Sequence, residues 1–405
     1  MGLNMKKFTD LLNELGIYGY NNISKPILAG LVAQEPILLV GDHGTGKTLL
    51  AEKLAEALNI NTSGYDKEFN AYDAAKSMFE DLIGFPDPQK LQNGEMDYIN
   101  SPLTIWNKKF ILVDEISRAN PNMQNKWLEI IRSRRVMGKE IPNLKYIIAA
   151  MNPLTYLGAN PLDAALADRF LLIINVPSEF NRKDLDAIIN LDEKNIKNKN
   201  NNLKTMLFDI RKIYDNLNSD LVKEIDKHVL DFTENINKMG LQFSPRRAGM
   251  LKRSICIFTA IDIYEGNFTS KKVSENFINA AYNSWNYLVT DNEPKLEILK
   301  EALIATSNNA GVKGDDTIFK NYKNKNKTDD AYIFGLPLGG KQNNSYNPNN
   351  SNMGNNVNNS DDDDQSDASV FKDILSDGFN LFTEGFWEMV VKGNDKWKPR
   401  YDRDK

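Results

Sequence analysis

Up to Val176 the chain alternates short, wholly apolar runs with longer stretches of helical apolar spacing, and each run ends in a polar or glycine residue. Ile37, Leu38, Leu39 and Val40 make the first run, residues 110–113 (FILV) another. Further strands are read at 65–69, 146–150 and 170–174. Runs that are apolar at every position belong to strands covered on both faces, as in a parallel sheet between helices. Residues 48–58 and 121–132 supply intervening helices. Two more helical stretches, 6–15 and 24–33, precede the first strand, are joined by the turn-rich GIYGYNN, and are expected to cover one edge of the sheet. From 71 to 100 the pattern weakens, with FPDP and NGE marking turns, and reads as an insertion or mobile loop.

After Val176-Pro177 the strand signals stop. Residues 182–305 read as mostly helical, with helices at 183–189, 203–217, 221–239, 245–261 and 272–288. Near Ser307 the composition shifts to Asn, Lys, Gly and Asp, culminating in NNSYNPNNSNMGNNVNNSDDDD, which lacks the apolar residues needed to fold. IFGLPL at 333–338 is a sticky patch within it. Helical spacing returns at Phe371, Ile374, Leu375, Phe379, Phe382, Phe386 and Val390, although Gly378 and Gly385 work against one continuous helix. The expected division is an N-terminal helix and linker at 1–22, an α/β domain at 23–178, an all-α domain at 179–306, a disordered linker at 307–367 and an amphipathic segment at 368–405. That last segment is read either as a helix docked on its own ring or as a ligand for a partner's groove, and the acidic run beside it favours a partner ligand that folds on binding.

Composition narrows this picture. A chain of 405 residues that is 41% hydrophobic and 26% charged is ordinary for a soluble protein of two or three domains. Its formal net charge of -5 argues against a surface built mainly to grip nucleic acid, while leaving a local basic channel open. With one cysteine, Cys256, and two histidines, His43 and His228, the chain carries neither a disulfide framework nor a Cys/His zinc cluster. The N-terminus has no apolar signal core, Lys6 stands where a myristoylation pattern wants Ser or Thr, and no stretch suits a membrane span. A cytoplasmic location is expected.

The chemistry sits at the ends of the apolar runs. Gly41, Asp42, His43, Gly44, Thr45, Gly46, Lys47 and Thr48 fill the pattern G-x-x-x-x-G-K-[ST] between a strand and the helix that Thr48-Leu49 opens. Glycines there let backbone N–H groups turn inward around phosphate oxygens, and the helix adds its positive end. Lys47 is expected on the β- and γ-phosphates and Thr48 on Mg²⁺. Asp114 and Glu115 end the strand at 110–113; beside a phosphate loop, one acid can hold the metal's water shell while its neighbour orients or deprotonates a water. Asn152 ends the next strand, within reach of that water or the γ-phosphate. Arg169 precedes a strand and would project a guanidinium from the sheet edge, or else pair with Asp168. Arg246 and Arg247, in SPRRAG, start a helix of the second domain, and either could close over the nucleotide.

In this order the motifs resemble those of the AAA+ ATPases, within them the MoxR-like and dynein-related branch. GDHGTGKT looks like its Walker A, FILVDEIS its Walker B, AAMNP its sensor 1, ALADRF its arginine-finger segment and FSPRRAGMLKR its sensor 2 segment. The connecting text DLIG, SPLTIW and DEISRANPNMQNKWLEII fits as well. The resemblance implies a P-loop NTPase fold whose all-α domain is a lid, with ATP and Mg²⁺ as cofactors. It implies that Lys47 and Thr48 bind phosphate and Mg²⁺, Asp114 serves Mg²⁺, Glu115 activates water and Asn152 senses the γ-phosphate. Arg169 would act in trans and Arg246 as sensor 2, with Arg247 the open alternative, which implies a homo-oligomeric, usually hexameric, ring. Thr45-Gly46 ahead of the lysine is nearer the wider dynein-related branch than the Leu-Ala common in MoxR proteins. The family often works with a von Willebrand factor A domain, whose metal site needs D-x-S-x-S; here Asp364 and Ser366 are followed by Ala368, so a separate partner is implied. The expected function is ATP-driven remodelling of a protein client. A motor subunit of a nuclease complex is disfavoured by MNPLTYLGAN, which lacks the Asp-Arg pair that such motors carry after Met-Asn. A non-hydrolysing adaptor ring is disfavoured by the intact Glu115.

Overall fold

The computed structural model describes residues 6–156, 158–191, 203–290, 296–309, 332–333 and 336–337. The aromatic segment at 368–405 and most of the Asn- and Asp-rich linker lie outside these residues. Within the linker, Tyr332–Ile333 pairs antiparallel with Leu336–Pro337.

Helices α1 (Phe8–Glu14) and α2 (Ser24–Ala33) lead into β1 (Ile37–Val40) and α3 (Lys47–Ala57). Then come β2 (Phe69–Asp73), α4 (Phe79–Ile83), α5 (Pro88–Gln92), β3 (Phe110–Asp114) and α6 (Pro121–Ser133). A hairpin of β4 (Arg135–Val136) and β5 (Lys139–Glu140) precedes β6 (Tyr146–Met151), α7 (Ala164–Ala167) and β7 (Leu172–Asn175). The helical region holds α8 (Arg182–Ile189), α9 (Leu203–Asp215), α10 (Ser219–Lys238), α11 (Pro245–Tyr264), α12 (Ser270–Asn283) and α13 (Leu296–Asn309).

The five-stranded sheet is parallel, in the order β2-β3-β6-β1-β7. Successive side chains of a strand point to opposite faces, so the apolar runs feed two layers at once. Ile37 and Leu39 join Phe110, Leu112, Ile148 and Ala150 in a cluster with α1, α2, α3 and the helical region. Leu38 and Val40 join Ile111, Val113, Ile147 and Ala149 in a second cluster centred on α6, where Trp127 is fully buried. β1 has strands on both sides, so the loop leaving it opens into a crevice at the carboxyl ends.

Two local expectations change. The strand read at 65–69 lies at Phe69–Asp73, where pairing with Phe110–Asp114 sets its register; Tyr65 is exposed beyond the turn at Gly64. Asn70 and Asp73 disguised it, because a polar residue in a short strand breaks the apolar run. The stretch read as an insertion or loop contains α4 and α5, closed by a bridge between Pro86 and Tyr98. Gly84 is required there: its φ is +82°, and a Cβ would lie 2.2 Å from the Ile99 carbonyl oxygen. Lys139 of the hairpin reaches Asp97 at 2.6 Å and so ties the two excursions together. Helix α2 does meet the edge strand β7, and it also packs on α9 and α11. Lys25 on α2 bonds Asp262 at 2.6 Å and Asn276 at 3.0 Å, and Glu35 bonds Arg253 at 2.7 Å.

The start of α11 fixes the helical region against the sheet. Ser244 caps the helix by accepting the Arg247 N–H at 3.1 Å, and Pro245 takes the first position, where no N–H is needed. Arg247 then points inward, only 1% exposed, and donates to the carbonyls of Phe170 before β7 and Ser284 after α12. Burial pulls its pKa down to about 10, which leaves it charged at neutral pH. Arg247→Ala leaves both buried carbonyls unpaired and should lower unfolding stability in urea by about 2–4 kcal/mol. Arg246→Ala, on the exposed side of the same turn, should change it by less than about 1 kcal/mol. Equal losses would contradict this division of labour.

Candidate functional site

The loop after β1 takes its shape from two glycines at positive φ, Gly44 at +77° and Gly46 at +87°, followed directly by α3. Gly41 has a different reason to be glycine: a Cβ there would come within 2.8 Å of the Val176 Cβ. The loop is cross-tied by Thr45 Oγ1, which donates to the Asp42 carbonyl at 2.8 Å, and by the Tyr20 hydroxyl, which donates to the Thr45 carbonyl at 2.9 Å. Burial pushes the Tyr20 pKa up, so it stays a donor.

Lys47 is buried, and its ammonium donates to the carbonyls of Gly41 and Asp42 at 2.7 Å each. Burial lowers its pKa, while Asp114, Glu115 and Asp42 push it back up. Thr48 Oγ1 donates to Asp114 Oδ2 at 2.9 Å, joining the first turn of α3 to the end of β3. Leu49 is exposed on that same turn.

Glu115 lies immediately past β3 in the left-handed region, φ 53°, with its N–H donating to Asp114 Oδ1 at 2.9 Å. A non-glycine residue there is uncommon and is associated with functional sites. Asn152, 1% exposed at the end of β6, donates to both Glu115 carboxylate oxygens at 3.0 Å. His43 comes from the loop side: its Nε2 is 3.2 Å from Asn152 Nδ2 and its Nδ1 3.7 Å from Glu115 Oε1. The structure therefore gathers Lys47, Thr48, Asp114, Glu115, Asn152 and His43 at one sheet edge.

The arginines divide differently. Arg169 follows α7, half-buried, and its neighbour Asp168 accepts from Ser244 Oγ at 3.1 Å and from Arg246 at 2.8 Å. Arg246 is thus turned toward Asp168 on the sheet side. With Arg247 committed to the two carbonyls, Arg246 is the member of the pair available to move. Two contributors escaped the sequence reading. Tyr20 sits in a turn-rich segment with nothing to mark it, and Arg118, 3.1 Å from Glu115 Oε2, lies three residues beyond that acid in a 3-10 turn.

The donors suit Mg²⁺, which takes hard oxygens, keeps several waters and needs only one or two protein ligands beside phosphate. Thr48 and Asp114 already present two such oxygens side by side. Among the described residues no group of three or more His, Cys, Asp or Glu could hold a metal by itself, and no helix is long and apolar enough to cross a membrane.

Comparison with known proteins agrees with this geometry. The family described as AAA domain (dynein-related subfamily) matches residues 36–170. The chain is 33% identical over 184 residues to "Structural protein ORF618" of Acidianus two-tailed virus, covering 42% of this chain and 28% of that protein. It is 30% identical over 164 residues to "Chaperone MoxR1" of Mycobacterium tuberculosis, covering 40% of this chain and 41% of that protein. The chain thus spans less than half the length of each of these relatives. A crystal structure from Cytophaga hutchinsonii aligns with a TM-score of 0.51 over 73% of this chain and 92% of that one; at 21% identity it speaks for the fold alone. The matched segment contains the phosphate loop, the Asp114-Glu115 pair and Asn152, and residues 36–170 form an AAA domain of the dynein-related, MoxR-like kind.

Proposed function

We propose that the chain binds ATP with Mg²⁺ and hydrolyses it to ADP and phosphate, working as the motor of a ring that remodels a protein partner. The observation that carries this reading is the Thr48–Asp114 hydrogen bond, with Glu115 held by Asn152 beside it. Acids that serve phosphoryl transfer must lie within reach of the phosphate, and the bond between the phosphate loop's Thr48 and Asp114 supports that reading.

The roles follow from the contacts. Lys47 bonds two neutral carbonyls, which it can exchange for β- and γ-phosphate oxygens without losing its place. Thr48 and Asp114 would hold Mg²⁺, which would supply charge neutralisation on the phosphates. Glu115 takes the proton of a water whose oxygen forms the new bond to the γ-phosphorus as the bond to ADP breaks. Asn152 holds the Glu115 carboxylate and can report on the γ-phosphate. Arg246 leaves Asp168 for the nucleotide, and the helical region turns as a lid about the attachment that Arg247 keeps. Arg169 serves the site of a neighbouring copy, which makes a hexamer the natural assembly. Likeness to a chaperone supports a protein client, and a separate protein with a von Willebrand factor A domain is the kind of partner this reading expects. The net charge of -5 favours that over nucleic acid, and the site's location is taken as the cytoplasm.

Glu115→Gln should keep nucleotide affinity and lose turnover by about 10²-fold, whereas Lys47→Ala should lose binding as well. Phosphate release and fluorescent-nucleotide titration check this; wild-type hydrolysis by Glu115→Gln would refute the assignment. For the ring, specific activity should rise with protein concentration, and Arg169→Ala should bind nucleotide yet hydrolyse poorly. Mixed with Lys47→Ala subunits, which keep an intact finger, Arg169→Ala subunits should regain activity. No rescue in rings shown to be mixed would count against action in trans.

A further inference from the structure

Glu115 has a second charged neighbour that the proposed reaction leaves without a role. Arg118 closes the 3-10 turn Ile116–Arg118, its N–H donating to the Glu115 carbonyl at 2.9 Å, and its Nε lies 3.1 Å from Glu115 Oε2. On an open surface such a pair would contribute little. Here the Glu115 side chain is only 21% exposed, its backbone is in the left-handed region, and Asn152 contacts both carboxylate oxygens equally at 3.0 Å. Contacts of equal length do not distinguish the two oxygens, and the last torsion of a glutamate is soft. A cation on one oxygen removes that freedom. The other oxygen, Oε1, is the one on the His43 side, 3.7 Å from Nδ1.

We propose that Arg118 is a positioning residue: it occupies Glu115 Oε2 and so leaves Oε1, facing the phosphate loop, as the oxygen that receives the proton of the attacking water. This deepens the reading of the chain as an ATPase and rests on it. The benefit is orientation, which raises turnover without changing how tightly the nucleotide is held.

The test uses the full chain and ATP with Mg²⁺. Arg118→Ala should lower kcat about tenfold or more with KM and nucleotide affinity within about twofold. Arg118→Lys, which keeps a cation but not the planar guanidinium, should recover part of the loss. In a Glu115→Gln background the same Arg118→Ala change should cost nothing further, because the group it positions no longer acts as a base. Unchanged turnover, or an equal loss in the Glu115→Gln background, would overturn the proposal. Crystals of the wild type and Arg118→Ala without nucleotide give a readout independent of turnover. The Glu115 carboxylate should turn or leave Asn152 in the variant, and an unmoved carboxylate would overturn the proposal even if the wild type released no phosphate, an outcome that would refute only the ATPase reading.

Discussion

A buried ammonium among carboxylates is the constraint on which this structure turns. Lys47 is taken out of water at the start of α3, which lowers its pKa, and it is held charged by Asp114, Glu115 and Asp42 and by two backbone carbonyls. None of these partners is close to it in sequence apart from its own loop. They meet because β1 lies beside β6 and one strand away from β3, so that the ends of all three open on one crevice. Each strand also supplies both layers of the core, so a register slip that displaced Asp114 or Asn152 would turn apolar residues away from their layer. Site geometry and core packing are thus secured by the same pairing.

The joints around this edge are polar where the core is apolar. Arg247 fastens α11 to the backbone on either side, Lys25 and Glu35 fasten α2 to the helical region, and Tyr20 fastens the N-terminal segment to the phosphate loop. Arg246 alone among these is paired at a half-exposed position, with Asp168 beside Arg169. A pair of that kind can be exchanged for a ligand's charge at little cost. This gives the helical region a fixed attachment and a releasable one within a single turn of α11.

Much of this was legible in the sequence because its physics is local. The phosphate loop, the acids closing an apolar run and the cap-and-proline start of α11 each declare themselves within a few residues. The fold class followed from runs with no polar interruption, and β2 was misplaced because Asn70 and Asp73 interrupt it. The hairpin β4–β5 went unread: two residues a side carry no periodicity. Arg247 could not be told from Arg246 by composition, since their difference is which way a helix turn faces. Arg118 and Tyr20 matter through partners fixed only by the folded chain.

On the proposed reading, the edge built by Lys47, Thr48, Asp114 and Glu115 hydrolyses a magnesium nucleotide. Phosphate release from ATP by the purified wild-type chain, followed with Mg²⁺ and again after chelation by EDTA, tests it most directly. Release well above background that falls to background on chelation is expected. Release that is absent with Mg²⁺, or that persists unchanged in EDTA, would contradict it.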